Sequence, residues 1–229
     1  MLHKELITRL VTATLLATLL LAGKLPAEGS EAQPSRDGDP HAGHRATESQ
    51  PQSASAADVT LFDVELVTQA GERAKFSSQI IGDRVVAINI VYTSCTTVCP
   101  VTTAIFAQVQ QRLGERLDRD VLLLSISVDP TRDSPERLAA YARKHRARPG
   151  WVWLTGEKNN VDQVLTGLGA YTPNFEDHPS MVIVGDPQTN RWSRFFGFPS
   201  PSAIVARLDE LVAGQHHRVA GSVTFSKKQ

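Results

Sequence analysis

The stretch RVVAINIVY, residues 84–92, constrains the architecture more than any other part of the chain. Between Arg84 and Tyr92 only Asn89 is polar. A run this short, rich in Val and Ile and without polar-apolar alternation, reads as a strand buried on both faces. A second run of the same kind, VLLLSISV, occupies 121–128. Between the two, Val101, Ile105, Val109 and Leu113 recur every four residues, which places one apolar stripe along a helix starting near Pro100, with Gly114 where it can stop. After the second run, Ser134 as N-cap, Pro135 at the first helical position and Glu136 in the first turn mark a helix start.

The pattern continues with WVWLT as a third strand, NNVDQVLTGLGAY as a helix, and MVIV as a strand that turns at GDPQTN into RWSRFFGF. SPSAIVARLDELVAG is a last amphipathic helix, and VTLFDVEL, ending at the turn signal TQAGE, forms a small β element before the first long strand. Alternating strands and helices with one late hairpin predict an α/β protein, a mixed central sheet flanked by helices with an added N-terminal β element.

The N-terminal quarter differs. Lys4 and Arg9 precede an uncharged run from Leu10 to Gly23, closed by Lys24. Fourteen residues fall short of the roughly 20 a spanning helix needs and suit the apolar region of an export signal. Residues 1–27 are therefore read as an export signal, cleaved after Ala27 or retained as a membrane anchor; with no cysteine following the run, lipoprotein attachment is not expected. In 24–57 Leu25 is the one large apolar residue, too little burial to offset ordering entropy, so 28–57 is read as a disordered tether. The folded domain is expected over 58–214, with 215–229 as a tail. Twenty-four basic residues balance twenty-four acidic ones with no dense Lys/Arg block, which argues against a nucleic-acid partner.

YTSCTTVCP, residues 92–100, holds both cysteines of the chain. A buried small hydrophobe and a structural staple are the plain readings of Cys95 and Cys99, but a staple across so short a loop restricts the unfolded chain little, about 2 kcal/mol against about 4.7 for a hundred-residue loop. A turn between a buried strand and a helix start presents side chains at the rim of the sheet. Unpaired N–H groups and the helix dipole there favour thiolates, so both sulfurs are expected to be reactive, closing a disulfide or gripping one ion. A thiolate pair selects soft metals, Cu(I) above all, and also suits zinc. His178, in the loop before MVIV, is the one histidine well placed to join them; a solvated loop histidine is the alternative.

Three ordered motifs, YTSCTTVCP, SVDPTRDSPE and EDHPSMVIVGD, together resemble the SCO family (synthesis of cytochrome c oxidase, also called SenC or PrrC). That family's pattern is Cys-x3-Cys-Pro after an apolar strand, an Asp-Pro segment followed by an Asp-Ser/Thr-Pro helix start, and a distal Asp-His before another strand. The likeness covers most of 58–214. It implies a thioredoxin-like fold held at the outer side of an energy-transducing membrane, and one copper ion, Cu(I) or Cu(II), bound by Cys95, Cys99 and His178. It also implies a copper-receiving partner, a subunit of cytochrome c oxidase or another cuproprotein.

Pro179 departs from the Ser or Thr expected after the histidine, and is read as a cis-proline like that of many thioredoxin-like proteins. Asp129 and Asp133 match the family motif, and the resemblance would let them border the copper site; a turn and a helix cap are the plainer explanation. His41 and His44 in the tether, and His216 and His217 past the last helix, read as solvated tails. Trp151, Trp153 and Trp192 read as packing residues.

Two further functions compete with copper delivery. A thiol-disulfide oxidoreductase would cycle a Cys95–Cys99 bridge to keep a partner's cysteines reduced, with His178 auxiliary. A peroxidase would use one attacking thiolate, with Thr93 beside it and an arginine for which no motif is evident.

Overall fold

The buried runs become the centre of one mixed sheet in a computed structural model that describes residues 54–225. Strands β1 (Ser55–Ala56), β2 (Glu65–Thr68), β3 (Arg73–Lys75), β4 (Val85–Val91), β5 (Val121–Ser127), β6 (Trp151–Thr155), β7 (Met181–Asp186) and β8 (Arg191–Phe196) lie in the order β1-β8-β7-β4-β5-β6-β2-β3. Strands β4, β5 and β6 run parallel. Strand β7 is antiparallel to β4, β8 to β7 and β2 to β6. Every residue of β4 and β5 is buried, as runs without polar alternation require.

The helices are α1 (Val98–Leu113), α2 (Pro135–Lys144), α3 (Lys158–Leu168) and α4 (Pro201–Phe225). Alternate strand residues point to opposite faces, which divides the core in two. Val85, Ala87 and Val91 join Phe106, Leu138, Trp151, Trp153 and Leu208 on the face covered by α1, α2 and α4. Val86, Ile88 and Ile90 join Phe76, Leu165, Leu168 and Trp192 on the α3 face. All three tryptophans are core residues, as expected. Helix α1 carries its stripe through Ile105, Val109 and Leu113, while Val101 is exposed. Gly114 stops it at φ 57°, a left-handed conformation that costs glycine little. Ser134 caps α2 by accepting from the Arg137 N–H.

Four expectations are corrected. The 59–66 segment is not a strand until Glu65: Val59, Leu61 and Val64 pack into the α3-side core, and Thr60 donates its N–H to the Gly167 carbonyl at 2.9 Å. A Cβ on Gly167 would meet the Thr60 carbonyl oxygen at 2.0 Å, so the glycine permits this close docking on the helix. The end of the proposed tether is ordered, with Ser55 and Ala56 pairing with Arg194 and Ser193; backbone hydrogen bonds to a sheet edge need no apolar side chains. Helix α4 continues past Gly214 to Phe225, so His216 and His217 are exposed residues of a helix rather than of a tail. No cis peptide bond occurs among the described residues, so Pro179 follows a trans bond.

The export run, most of the tether, His41 and His44 lie outside the described residues. Among the described residues no helix is long and apolar enough to cross a membrane.

Candidate metal centre

Strand β4 delivers the chain to the sheet rim at Val91, and the turn from Tyr92 to Thr97 feeds directly into α1. Cys99 occupies the first turn of α1 and Cys95 the loop before it, as the spacing predicts. The Cys95 N–H donates to the Tyr92 carbonyl at 3.1 Å. The Cys99 N–H donates to Cys95 Sγ at 3.5 Å, and the Thr97 hydroxyl lies 3.7 Å from the same sulfur. Both residues are free thiols, Cys95 7% exposed and Cys99 fully buried.

The two sulfurs are not equivalent, which corrects the expectation that both favour the thiolate. Burial works to raise the Cys95 thiol, but the N–H groups of Cys99 and Thr97, with their side chains, outweigh it and bring the pKa down to about 6. At Cys99 burial dominates and the Tyr92 N–H offsets it only in part. With Cys95 and the Asp133 carboxylate adding to the rise, the thiol is pushed up to about 12. Helix-end N–H groups favour one thiolate, and a second beside it in a dry site is disfavoured by its neighbour's charge.

Asp133 braces this turn rather than capping α2, the role expected for it, because Ser134 is the cap. Its carboxylate is 1% exposed. It accepts from the Thr93 N–H at 3.0 Å, the Thr93 hydroxyl at 2.5 Å and the Ser127 hydroxyl at 2.6 Å. The parallel register of β4 and β5 brings the β5–α2 loop alongside the cysteine turn, so one buried anion ties the two together. Thr93, the residue available for a peroxidase, is thereby committed to Asp133. Asp129 accepts from Arg132 at 3.1 Å across a turn, as the turn reading expects.

His178 reaches the same rim from the other side. Strand β7 pairs antiparallel with β4, with Asn89 opposite Val182, and continuing that register by three residues sets Tyr92 against Pro179. The imidazole is 9% exposed, with Nδ1 3.3 Å from the Pro179 carbonyl oxygen. Burial lowers its pKa, offset in part by that backbone contact, so the ring is held neutral, the form that ligates metal. It meets the Tyr92 ring edge-on at 5.8 Å. Tyr92 also packs edge-on against Phe175 at 5.2 Å, and the Arg132 guanidinium lies 5.8 Å from the Phe175 ring centre. Tyr92 therefore stands between strand, sulfurs and imidazole. Sequence reasoning passed over it as the end of β4, although it begins the very motif that carries the cysteines. Among the described residues no three His, Cys, Asp or Glu side chains are gathered closely enough to hold one ion. Cys95, Cys99 and His178 share a rim and a neighbour without forming a closed coordination sphere.

A family description, SCO1/SenC, matches residues 52–213. The chain belongs to the SCO1/SenC family. The human mitochondrial protein SCO1 homolog is 33% identical over 121 residues, 52% of this chain and 39% of that protein. Across the curated SCO relatives the matched segments span 39% to 72% of those proteins. The solved structure of Bradyrhizobium japonicum ScoI with copper bound is similar at a TM-score of 0.55 and 24% identity, covering 67% of this chain and 99% of that one. BsSco, a Sco-family cytochrome c oxidase assembly protein in which a disulfide switch was identified, is similar at a TM-score of 0.59 and 22% identity, covering 71% and 98%. The thioredoxin-like fold expected of a SCO protein, a mixed sheet flanked by helices, is the fold of this chain.

Proposed function

We propose that this protein is a copper metallochaperone that binds one copper ion through Cys95, Cys99 and His178 and assists assembly of the copper site of cytochrome c oxidase or of another cuproprotein. The observation that carries this reading is the meeting of a dithiol and a neutral imidazole on one aromatic residue at a sheet rim, in a SCO1/SenC protein. Two thiolates satisfy Cu(I), and an added imidazole allows Cu(II) to be held as well. Three donors leave room for a recipient's ligand to attack, so the ion leaves by ligand exchange with no bond catalysed. The uncharged run from Leu10 to Gly23, read as an export signal, supports an activity outside the cytoplasm, in a periplasm or on the outer face of an energy-transducing membrane, with the domain released or anchored. The test is titration of the reduced protein with copper, followed by ultraviolet-visible and paramagnetic resonance spectra. One equivalent should bind with sulfur-to-Cu(II) charge transfer, and Cys95→Ser, Cys99→Ser or His178→Ala should each abolish tight binding. Unchanged affinity in any variant removes that residue from the site.

A second reading is favoured by the unequal thiols. A low-pKa cysteine beside a buried, protonated one suits attack on a partner's disulfide followed by resolution of the mixed disulfide. Such a thiol-disulfide oxidoreductase would reduce the partner without copper and survive His178→Ala, which separates it from the first reading.

A further inference from the structure

Strand order gathers exposed apolar side chains around the donors of the copper reading. Strand β7 runs antiparallel to both of its neighbours, β4 and β8, so the edge of the sheet where it begins is the edge where they end. The segment entering β7 carries His178. The chain leaving β4 carries Cys95, Cys99 and, early in α1, Val101, and the chain leaving β8 carries Phe196 and Phe198. Phe196 stands opposite Met181, and the Gly197 N–H donates to the Ser180 carbonyl at 2.8 Å, which sets Phe198 beside the residues that follow His178. The donors thus lie between the start of α1 on one side and the two phenylalanines on the other. Val101 is 45% exposed, Phe196 59% and Phe198 45%, three of the five exposed large apolar side chains among the described residues.

Charge is missing from both flanks. From Val85 to Gln111, and again from Phe195 to Ala206, the chain has no acidic or basic residue, although the cysteine loop exposes Ser94, Thr96 and Thr97. The charges next to His178 are the exposed carboxylates of Glu176 and Asp177. An apolar, aromatic centre with charge kept to its margin is the composition of a protein–protein contact. An anionic bilayer fits poorly, since a membrane-binding face draws on Lys and Arg and the carboxylates here would repel it. We propose that Val101, Phe196 and Phe198 form the docking face for the recipient protein, which meets them with an uncharged apolar surface surrounding its own metal ligands. The proposal deepens the copper reading, on which it rests for the identity of the partner. Because Cys95, Cys99 and His178 are buried, a recipient's ligand reaches them only when the two surfaces are in close contact. Whatever covers the patch therefore covers the donors, and a second copy of this chain seated there would shut the recipient out.

The test is titration calorimetry of the reduced full chain with the soluble copper-binding domain of cytochrome c oxidase subunit II, both proteins copper-free. Val101→Ser and Phe198→Ser should each weaken binding about tenfold, as loss of a central contact does, with urea midpoint and copper stoichiometry unchanged. Affinity should vary less than about threefold between low and physiological salt, because the centre of the contact makes no ion pair. Variants within about twofold of the wild type, or a parallel loss of stability, overturn the proposal. Substitutions that abolish self-association in sedimentation, or co-sedimentation with phosphatidylcholine–phosphatidylglycerol vesicles, while leaving recipient binding unchanged, assign the face to a second copy or to lipid and also overturn it. A wild type that docks but binds no copper keeps the face and overturns the copper reading. A wild type that binds copper but not the subunit II domain overturns the face alone.

Discussion

The opposed environments of the two cysteines make a quantitative expectation about their chemistry. With the Cys95 thiol at about 6 and the Cys99 thiol at about 12, the thiolate fraction at pH 7 is about nine-tenths at the first and about one in 10^5 at the second. Intrinsic nucleophilicity runs the other way, falling with pKa at a slope of roughly 0.4–0.5, which returns a factor of about 10^2.4 to 10^3 to Cys99. The net preference for Cys95 is then roughly 100- to 400-fold, before the complete burial of Cys99 adds to it. The assay is alkylation of the reduced protein with iodoacetamide between pH 5 and 9, quenched and located by peptide mass. Because the Cys95 thiol is depressed, its thiolate persists as pH falls until about 6, so labelling should be half-maximal near pH 6 and flat above pH 7. An ordinary thiol would still be climbing near pH 8.5. Labelling of Cys95 that rises through pH 8 to 9, or equal modification of both positions, would refute the assignment of helix-end N–H groups to one sulfur and burial to the other.

Two expectations concern the scaffold beneath the site. Asp133→Ala removes the acceptor of three donors, Thr93 N–H, Thr93 hydroxyl and Ser127 hydroxyl, and should lower stability in urea by about 3 kcal/mol or more; a loss under 1 kcal/mol would mean water replaces the carboxylate. Gly185 lies across the hairpin from Trp192, and an added Cβ would stand 1.9 Å from Trp192 Cε3. Gly185→Ala should therefore cost about 1–3 kcal/mol through overpacking, seen as a lower urea midpoint together with a changed tryptophan emission.

The sequence disclosed those parts of the fold whose side chains carry the reason for their conformation. Strands β4 and β5 were legible because a strand buried on both faces leaves a continuous apolar run, and α2 because Ser134-Pro135-Glu136 satisfies the first-turn N–H groups locally. Segment 59–64 misled because its β-branched residues express burial and not pairing: they pack on α3 instead of joining a ladder. Strand β1 left no signature, since two residues held by backbone bonds need no particular side chains. At the site, the spacing of Cys95 and Cys99 placed one in the loop and one in the first helical turn, but the inequality of their thiols depends on burial and on the approach of Asp133 across 34 residues of chain. Tyr92 was missed because its contacts with Phe175 and His178 arise from the antiparallel register of β7 on β4, which no local pattern records.

That register also divides the site into a fixed part and an adjustable part. The sulfur pair is held by elements that reach deep into the core: β4 before it, α1 after it, and the buried Asp133 beneath. His178 hangs on a loop held by short-range hydrogen bonds, with Asn174 and Phe175 accepting the N–H groups of Asp177 and His178, and by contacts between aromatic rings, each worth about 0.5–1.5 kcal/mol beyond the area it buries. Energies of that size equal affinity changes of roughly two- to tenfold. They are small enough for an arriving ion or a competing protein ligand to override, yet large enough to set the balance between an empty and a filled site. On the proposed copper reading the two sulfurs would define where an ion sits, and the aromatic contacts of His178 would bear on how readily the imidazole joins. Substitutions in that aromatic group should therefore alter affinity and exchange rate while leaving the fold intact, whereas substitutions beneath the cysteines should act first on stability.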